Sequence, residues 1–166
     1  MEIFDLYDCN GNPTGQEWNR ANVELIPDGL FRLVCEVLVK HIDGDFLLMR
    51  RDFSKKWGPG LWEASAGGSA LKGESPLECI KRELFEETGI KSDKFTEMNR
   101  SIGEHNLYHS YLTTVDCSKN NIVLQKGETI GYRWVSESEF FKFLKSDLII
   151  KTQKERYLSF LKQLQK

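Results

Sequence analysis

Apolar residues fall into short runs whose spacing predicts strands. Residues 31–40 and 45–51 are rich in valine and leucine and flank an Asp43-Gly44 turn, which predicts a hairpin. Their continuous apolar character is typical of strands that are covered on both faces. Residues 3–8 alternate apolar with polar side chains and predict an opening strand. Residues 12–29 are polar and carry two prolines and two glycines, so we expect an irregular connection there.

The clearest helix signal covers residues 76–88. Ser75 is a suitable N-cap, Pro76 fits the first helical position, and Gly89 provides a left-handed stop. Glu78 completes a capping box with Ser75. The face expected to dock on the core carries Leu77, Ile80 and Leu84.

The remaining pattern predicts a mixed sheet. Further strands are expected at residues 61–66, 94–104, 107–116 and 131–135. Ser136 is a good N-cap for a helix through residue 145. A last helix is expected over residues 152–163, with apolar Tyr157, Leu158, Leu161 and Leu164. Strands interleaved with helices predict an α+β fold in which helices cover the sheet, and the length suits a single domain over residues 1–166.

Charge and composition limit the partners. The chain has 23 basic and 25 acidic side chains and a net charge of -2, so no overall positive field attracts a nucleic acid duplex. A small ligand held by local charges is favoured. No apolar run is long enough for a membrane span, and residues 1–8 lack the pattern of a secretion signal. We therefore predict a cytoplasmic protein with no membrane partner. The four cysteines form no CxxC pair, which argues against structural zinc.

Three acidic residues on the predicted helix suggest a metal site. Glu83, Glu86 and Glu87 are three and four residues apart, so their carboxylates share one stripe of a helix. Like charges at this spacing repel one another, and a divalent cation would relieve the repulsion. Oxygen ligands suit Mg²⁺, and Arg82 is placed to orient one glutamate through a bidentate pair. The alternative is a solvated acidic helix face.

The sequence around these glutamates favours the metal site. The run matches a family pattern at Gly68, Glu74, Arg82, Glu83, Leu84, Glu86, Glu87, Gly89 and Ile90. With these residues it resembles the Nudix box at every defined position. Seven fixed identities at about one in fifteen each make a chance match on the order of 10⁻⁸ per start position.

The resemblance implies a fold, a reaction and a set of residue roles. The implied fold is an α/β/α sandwich around a mixed sheet. The implied reaction is Mg²⁺-dependent attack of water on a nucleoside diphosphate derivative or related small molecule, with Mn²⁺ as an alternative ion. The implied metal ligands are Glu83, Glu86 and Glu87 with a glycine carbonyl at Gly67-Gly68. Arg82 would orient the glutamates, and Glu74 would support the edge of the site.

Nudix enzymes often draw a further glutamate from a loop after the box. Glu128 is our candidate for this base or extra ligand, since it precedes the predicted strand at residues 131–135. Glu104 is a weaker alternative. The other interpretation of Glu128 is an ordinary acidic loop residue.

Flanking residues resemble the isopentenyl-diphosphate isomerase-like branch of the family. The resemblance rests on residues 6–8, 13–15, 59–62 and 67–68. Isomerases of that branch use a cysteine just before the box glycine, and Gly67 occupies this position here. Isomerase activity is therefore disfavoured but remains an alternative, as does a catalytically silent nucleotide-binding sensor.

The sequence says less about the substrate than about the reaction. Trp57, Trp62, Phe31 and Tyr108 are candidates for covering a base or an isoprenoid-like group, with core or rim positions as the alternative. Arg50, Arg51 and Arg32 are candidates for phosphate contacts, with solvated strand ends as the alternative. The terminal helix either packs on its own core or joins a second subunit in a homodimer.

Overall fold

The computed structural model of the chain describes residues 2–164, apart from the side chains of residues 159 and 161–164. This part of the chain forms strands β1 (Ile3–Tyr7), β2 (Pro13–Asn19), β3 (Phe31–His41), β4 (Phe46–Arg51), β5 (Trp62–Ala64), β6 (Ala66–Ser69), β7 (Thr96–Ile102), β8 (Asn106–Val115) and β9 (Thr129–Val135). The α-helices are α1 (Pro76–Thr88), α2 (Glu137–Lys145) and α3 (Lys151–Leu164), and a 3₁₀-helix covers Arg20–Leu25.

Strand β3 organises the mixed sheet. One of its edges pairs in parallel with β8 along its length, from Arg32 opposite Asn106 to His41 opposite Val115. Its other edge is shared in turn by β1, β6 and β4, all antiparallel. Strand β4 continues the sheet to β5 and β9. The predicted hairpin around Asp43-Gly44 is confirmed, and the position of β3 explains its nearly continuous apolar sequence.

Helices cover both faces of the sheet. On one face, Ile80 and Leu84 of α1 are fully buried against the inward side chains of β3. On the other, Phe140 of α2 and Tyr157 of α3 pack against β4 and β5. Burying one large apolar side chain contributes about 1.5–3 kcal/mol. The predicted α+β class and α/β/α sandwich are confirmed.

The expectation of an irregular connection over residues 12–29 was wrong. Strand β2 lies at the edge of the sheet, where Ile3 pairs with Asn19. The Thr14 hydroxyl donates to the Leu6 carbonyl at 2.8 Å. An edge position tolerates the proline and glycine that had argued against a strand. The local sequence therefore favoured a loop, but pairing with β1 makes this segment a strand.

Two smaller predictions also need correction. Leu77 does not dock on the core: it is 47% exposed, and Cys79 is buried instead. The single strand expected at 61–66 divides into β5 and β6, because Ser65 interrupts it. Its hydroxyl accepts from the Val39 amide and donates to the Leu47 carbonyl, both at 2.8 Å.

The terminal helix packs on the core of its own chain. Helix α3 begins one residue before the predicted start, and Tyr157 is fully buried in the same cluster as Phe140. The predicted apolar positions Leu161 and Leu164 lie outside the described side chains. Within residues 2–164, no helix combines the length and apolar character that a membrane crossing requires.

Candidate metal and diphosphate site

Helix α1 holds its acidic residues in fixed positions because both of its ends are capped. The Ser75 amide donates to the Glu78 carboxylate at 2.8 Å, and the Ser75 hydroxyl accepts from the Glu78 amide. At the other end, Gly89 has a φ of 74° and donates to the Phe85 carbonyl. The capping box and the left-handed stop were both predicted from the sequence, and both are confirmed.

Arg82 is the centre of a hydrogen-bond network at the base of the site. It holds Glu74 by two bonds of 2.7 and 2.8 Å. Its Nη1 donates to Glu83 at 2.8 Å and to Glu86 at 3.2 Å, and its Nη2 donates to the Ser69 carbonyl at 3.1 Å. The bidentate partner is therefore Glu74 rather than one of the three proposed metal ligands.

Glu87 lies in the most acidic environment of the site. Its side chain is buried, and it accepts a 3.2 Å hydrogen bond from the Gly67 amide. Burial raises the pKa of Glu87, and the negative charges of Glu63, Glu83 and Glu128 raise that pKa further. Carboxylates near enough to raise one another's pKa favour either a proton or a cation between them.

Glu63, on β5, was missed by the sequence interpretation. Its carboxylate pairs with Arg51 at 2.7 Å. Burial nevertheless raises the pKa of Glu63, and the nearby charge of Glu128 adds to the rise. The signal that could have indicated it is an acidic residue inside a short strand otherwise made of tryptophan and alanine.

The two loop glutamates have different surroundings. Glu128 forms an ion pair with Lys55, and its charge acts on both Glu63 and Glu87. The Asp52 amide donates to the Glu128 carbonyl at 2.8 Å, which ties the two loops together. Glu104 is exposed and lines the far end of a groove, beside His105. Of the two predicted candidates, Glu128 is the one whose charge raises the pKa of Glu63 and of Glu87.

The donor set fits a hard divalent cation. The acidic cluster, defined as Glu63, Glu83, Glu87 and Glu128, supplies carboxylate oxygens, and Gly68 lies against it. A Cβ at Gly68 would come within 2.2 Å of a Glu83 carboxylate oxygen, so only glycine leaves this approach open. Oxygen donors of this kind suit Mg²⁺ or Mn²⁺.

The carboxylates are near one another without being closed around a centre. Within residues 2–164, no three histidine, cysteine, aspartate or glutamate side chains are grouped in a geometry ready to hold a metal ion. Glu83 is turned toward Arg82, and Glu86 is 43% exposed. The assignment of Glu83, Glu86, Glu87, Gly67 and Gly68 as metal ligands therefore stays a prediction.

Gly67 is tightly enclosed by backbone. A Cβ at this position would lie 2.8 Å from the Cys35 carbonyl oxygen and 3.1 Å from the Glu36 Cα. Both neighbours belong to β3, the central strand, which has little freedom to move. The position that would carry a cysteine in an isomerase therefore has no room for a side chain here.

A groove of about 1410 Å³ opens beside the acidic cluster. Its floor is formed by β3 and its neighbours, and its walls by the loop after β4, the start of α3 and the β7–β8 turn. A smaller pocket of about 500 Å³ lies near the C-terminal end of α1 and is lined by none of the predicted site residues. The larger groove is therefore the candidate substrate site.

The aromatic candidates divide between groove and core. Trp57 and Tyr108 line the groove, and Trp57 is 72% exposed. Phe31 is buried in the core, and Trp62 packs edge-on against Phe143. Phe31 and Trp62 therefore pack within the protein, as the alternative interpretation expected, and do not cover a substrate.

The arginine candidates divide in the same way. Arg32 and Arg51 line the groove. Arg50 instead lies over the Phe53 ring and donates to the Gly60 carbonyl at 3.2 Å. Only Arg32 and Arg51 therefore remain candidates for phosphate contacts.

Comparison with known proteins identifies the class. The NUDIX domain model matches residues 32–157. An uncharacterized Nudix hydrolase of Listeria monocytogenes is 33% identical over 141 residues, which cover 84% of this chain and 82% of that protein. The chain therefore belongs to the Nudix hydrolase family, as an enzyme of the pyrophosphohydrolase class.

Two further likenesses concern the branch and the fold. An isopentenyl-diphosphate Delta-isomerase of Corynebacterium diphtheriae is 40% identical over 99 residues, which cover 59% of this chain and 52% of that protein. The similarity to the isomerase-like branch is thus confirmed. The crystal structure of DR0079 from Deinococcus radiodurans superposes with a TM-score of 0.73 at 17% identity, covering 89% of this chain and 91% of that one. At this identity the likeness concerns the fold.

Proposed function

We propose that this chain hydrolyses a diphosphate linkage in a nucleoside diphosphate derivative or related small molecule, with Mg²⁺ as cofactor and Mn²⁺ as a substitute. The observation that carries the proposal is the buried carboxylate of Glu87, which accepts a hydrogen bond from the Gly67 amide and whose pKa is raised by burial and by the charges of Glu63, Glu83 and Glu128. Glu63, Glu83 and Glu128 each have a basic partner, but among the described residues Glu87 has none, and a buried carboxylate in that position is costly unless a cation is bound. A diphosphate brings further negative charge to the same place, so cation and substrate would be bound together.

Each residue of the site has a proposed role. Glu83, Glu86 and Glu87 would hold the ion together with the backbone at Gly67-Gly68, and Arg82 would keep Glu83 and Glu86 in position. When bound, the ion neutralises phosphate charge and makes phosphorus more susceptible to attack. Glu128 would accept a proton from the attacking water. A new phosphorus–oxygen bond then forms to the water oxygen while the bond to the bridging oxygen breaks.

The groove supports a small-molecule substrate. Its volume of about 1410 Å³ exceeds the roughly 300–1,000 Å³ of a typical ligand pocket. Trp57 supplies exposed aromatic surface of the kind that stacks on a planar group. Tyr108 also lines the groove, with the Arg156 guanidinium 4.1 Å from its ring centroid. A nucleoside would satisfy both features, whereas the net charge of -2 gives no attraction for a duplex.

Isomerisation of an isoprenoid diphosphate is the second candidate, favoured by the relative that is 40% identical over 99 residues. The surroundings of Gly67 count against it. A cysteine there would need its Cβ within 2.8 Å of a backbone oxygen of the central strand. Hydrolysis requires no side chain at that position and is the better supported reaction.

We also propose that residues 1–166 act as one domain in the cytoplasm. Cys9, Cys35, Cys79 and Cys117 are all free thiols, which is the usual state in a reducing compartment. The buried position of Tyr157 favours a terminal helix that serves its own subunit.

The experiment is a screen of about fifty nucleoside diphosphate compounds and isopentenyl diphosphate, each with Mg²⁺, with Mn²⁺ and with EDTA. Products are followed by phosphorus NMR in water enriched with oxygen-18. We expect metal-dependent cleavage with one labelled oxygen in a released phosphate group. An isomerised isoprenoid without label would support the second candidate. Tight nucleotide binding without turnover in either metal would indicate a sensor.

A further inference from the structure

The basic residues that line the groove differ in how their charge is balanced. Arg51 pairs with Glu63 at 2.7 Å, and Arg156 holds Glu36 by two bonds of 2.6 and 2.7 Å. Lys56 forms an ion pair with Glu24. Arg32 and the exposed Lys151 are different: among residues 2–164, no acidic side chain lies within ion-pair distance of either, and of the two only Arg32 is partly buried.

The contacts of Arg32 are all neutral. Its Nε donates to the Asn106 side-chain oxygen at 2.7 Å, and its Nη1 donates to the Ser69 hydroxyl at 3.0 Å. Phe4 lies 5.9 Å from the guanidinium carbon on one side. Within the described part of the chain, Nη2 has no hydrogen-bond partner. One edge of the guanidinium is therefore available to a ligand.

The electrostatic surroundings of Arg32 favour an anion. Burial lowers the pKa of Arg32; the nearby Tyr108 opposes this shift, and the neighbouring positive charge of Arg20 adds to it. An arginine nevertheless stays charged in a protein. A half-buried cation beside a second cation, with no acid to offset it, is unfavourable until a negative group arrives.

Arg32 is also close to the proposed metal site. Ser69 follows Gly68 directly in β6 and accepts hydrogen bonds from two arginines, at its hydroxyl from Arg32 and at its carbonyl from Arg82. Val34 pairs with Ser69, and Cys35 pairs with Gly68. Ser69 therefore links the guanidinium of Arg32 to the glycine beside it and, through its carbonyl, to the arginine that holds Glu83.

We propose that Arg32 is an anion subsite that binds non-bridging oxygens of the substrate's diphosphate group, on the phosphate that projects past Ser69 into the groove. This inference rests on the proposed function. The acidic cluster would take one phosphate through the metal ion, and Arg32 would take the other directly. The subsite selects for a doubly phosphorylated group, since a monophosphate cannot reach both places.

The competing explanation is that Arg32 only links β3 to its neighbours β6 and β8. Glutamine at this position keeps a hydrogen-bonding amide and removes the charge. A purely structural arginine would show a lower melting temperature on this change with unaltered ligand affinity. An anion subsite would show weaker ligand binding whose dependence on salt is also smaller.

The test compares Arg32→Gln with a matched control, Arg100→Gln. Arg100 is an exposed arginine that is paired with Glu97 at 2.8 Å and is outside the groove lining. The probe is methylenediphosphonate, whose phosphorus–carbon–phosphorus bridge cannot be hydrolysed. Its affinity is measured by calorimetry with Mg²⁺, at low and at physiological ionic strength, alongside inorganic phosphate. Melting temperatures and circular dichroism are recorded for each protein.

We expect Arg32→Gln to weaken methylenediphosphonate binding about 10- to 100-fold, as for loss of a charged hydrogen-bond donor. Inorganic phosphate should be affected much less, and Arg100→Gln should bind the probe like the unaltered protein. Equal probe affinity in Arg32→Gln and the unaltered protein would overturn the subsite while leaving hydrolysis in place. If the unaltered protein neither binds the probe with Mg²⁺ nor cleaves any diphosphate, both the subsite and the proposed function fail.

Discussion

Arg82 holds both carboxylate oxygens of Glu74, Nε to Oε1 at 2.7 Å and Nη2 to Oε2 at 2.8 Å. This pair fixes the plane of the guanidinium, since a bidentate contact leaves it no rotation. The remaining nitrogen then points at Glu83 and Glu86. The direction of two proposed metal ligands is therefore set by a residue that lies just before the helix.

Replacing Arg82 by lysine should preserve the charge but lose this geometry. A lysine ammonium cannot form two parallel bonds to Glu74 and also reach Glu83. We expect kcat/KM to fall about 10- to 100-fold, as for other residues that orient metal ligands. The measurement is steady-state hydrolysis at saturating Mg²⁺. Full activity in Arg82→Lys, with an unchanged Mg²⁺ requirement, would show that the network does not position the site.

Gly67→Ala should destabilise the protein, because the added Cβ would lie 2.8 Å from the Cys35 carbonyl oxygen. Overpacking at such a position costs about 1–3 kcal/mol. Gly131→Ala is the matched control, since a Cβ there comes no closer than 4.0 Å to its nearest neighbour. Urea denaturation compares the two variants. Equal stability of both would mean that β3 and β6 can separate, and that the steric argument against a cysteine at this position is wrong.

The regular parts of the fold were predictable because local and global signals agree in them. Both capped helices, α1 and α2, were placed at their N-caps, since a capping box depends on residues only three positions apart. Strand β3 was recognisable because its burial on both faces leaves a continuous apolar run. Strand β2 was not, because its pairing with β1 outweighs a local sequence that favours loops.

From residue spacing alone, the site was predictable only as far as it lies on one helix, whereas Gly67, Gly68 and Glu128 were expected from the family resemblance. The spacing of Glu83, Glu86 and Glu87 along α1 indicated a shared face without knowledge of the fold. Glu63 comes from a different strand and reaches the cluster through tertiary structure, which spacing along the chain cannot reveal. The partners of Arg82 show the same limit: Glu74 is eight residues away, across the turn that precedes α1.

Helix α1 should lose stability when its cap is removed. Ser75→Ala eliminates the hydroxyl that accepts from the Glu78 amide. The expected cost is about 1 kcal/mol in the free energy of unfolding, measured by urea denaturation. Ser118→Ala is a suitable control because Ser118 is exposed and, within the described residues, its hydroxyl forms no hydrogen bond. A stability equal to that of the control would indicate that packing alone defines the start of α1.

The metal-free protein should be stabilised by Glu87→Gln, and more so at higher pH. Burial and neighbouring acids raise the folded-state pKa of Glu87 above its unfolded value of about 4.3. Glu87 therefore stabilises the folded protein only while its carboxyl group is protonated. This contribution is fully present below the unfolded-state pKa and is lost as the pH rises through the folded-state pKa. Glutamine has no charge to bury and avoids that loss.

Melting temperatures in EDTA between pH 5 and pH 8 test this expectation. The advantage of Glu87→Gln over the unaltered protein should grow as pH increases and shrink toward pH 5. A difference that stays constant over this range would show that Glu87 does not carry the proposed repulsion.

The central claim is that Glu87 and its acidic neighbours bind the divalent ion that hydrolysis requires. The most direct test compares the unaltered protein with Glu87→Gln and with the exposed control Glu137→Gln. Calorimetry measures the Mn²⁺ affinity of each protein, and an activity assay measures its diphosphate hydrolysis. We predict that Glu87→Gln remains folded, binds Mn²⁺ at least tenfold more weakly and loses about 10²-fold or more in kcat, since several kcal/mol of charge stabilisation are removed. The control should behave like the unaltered protein. Normal Mn²⁺ affinity and full turnover in Glu87→Gln would contradict the account.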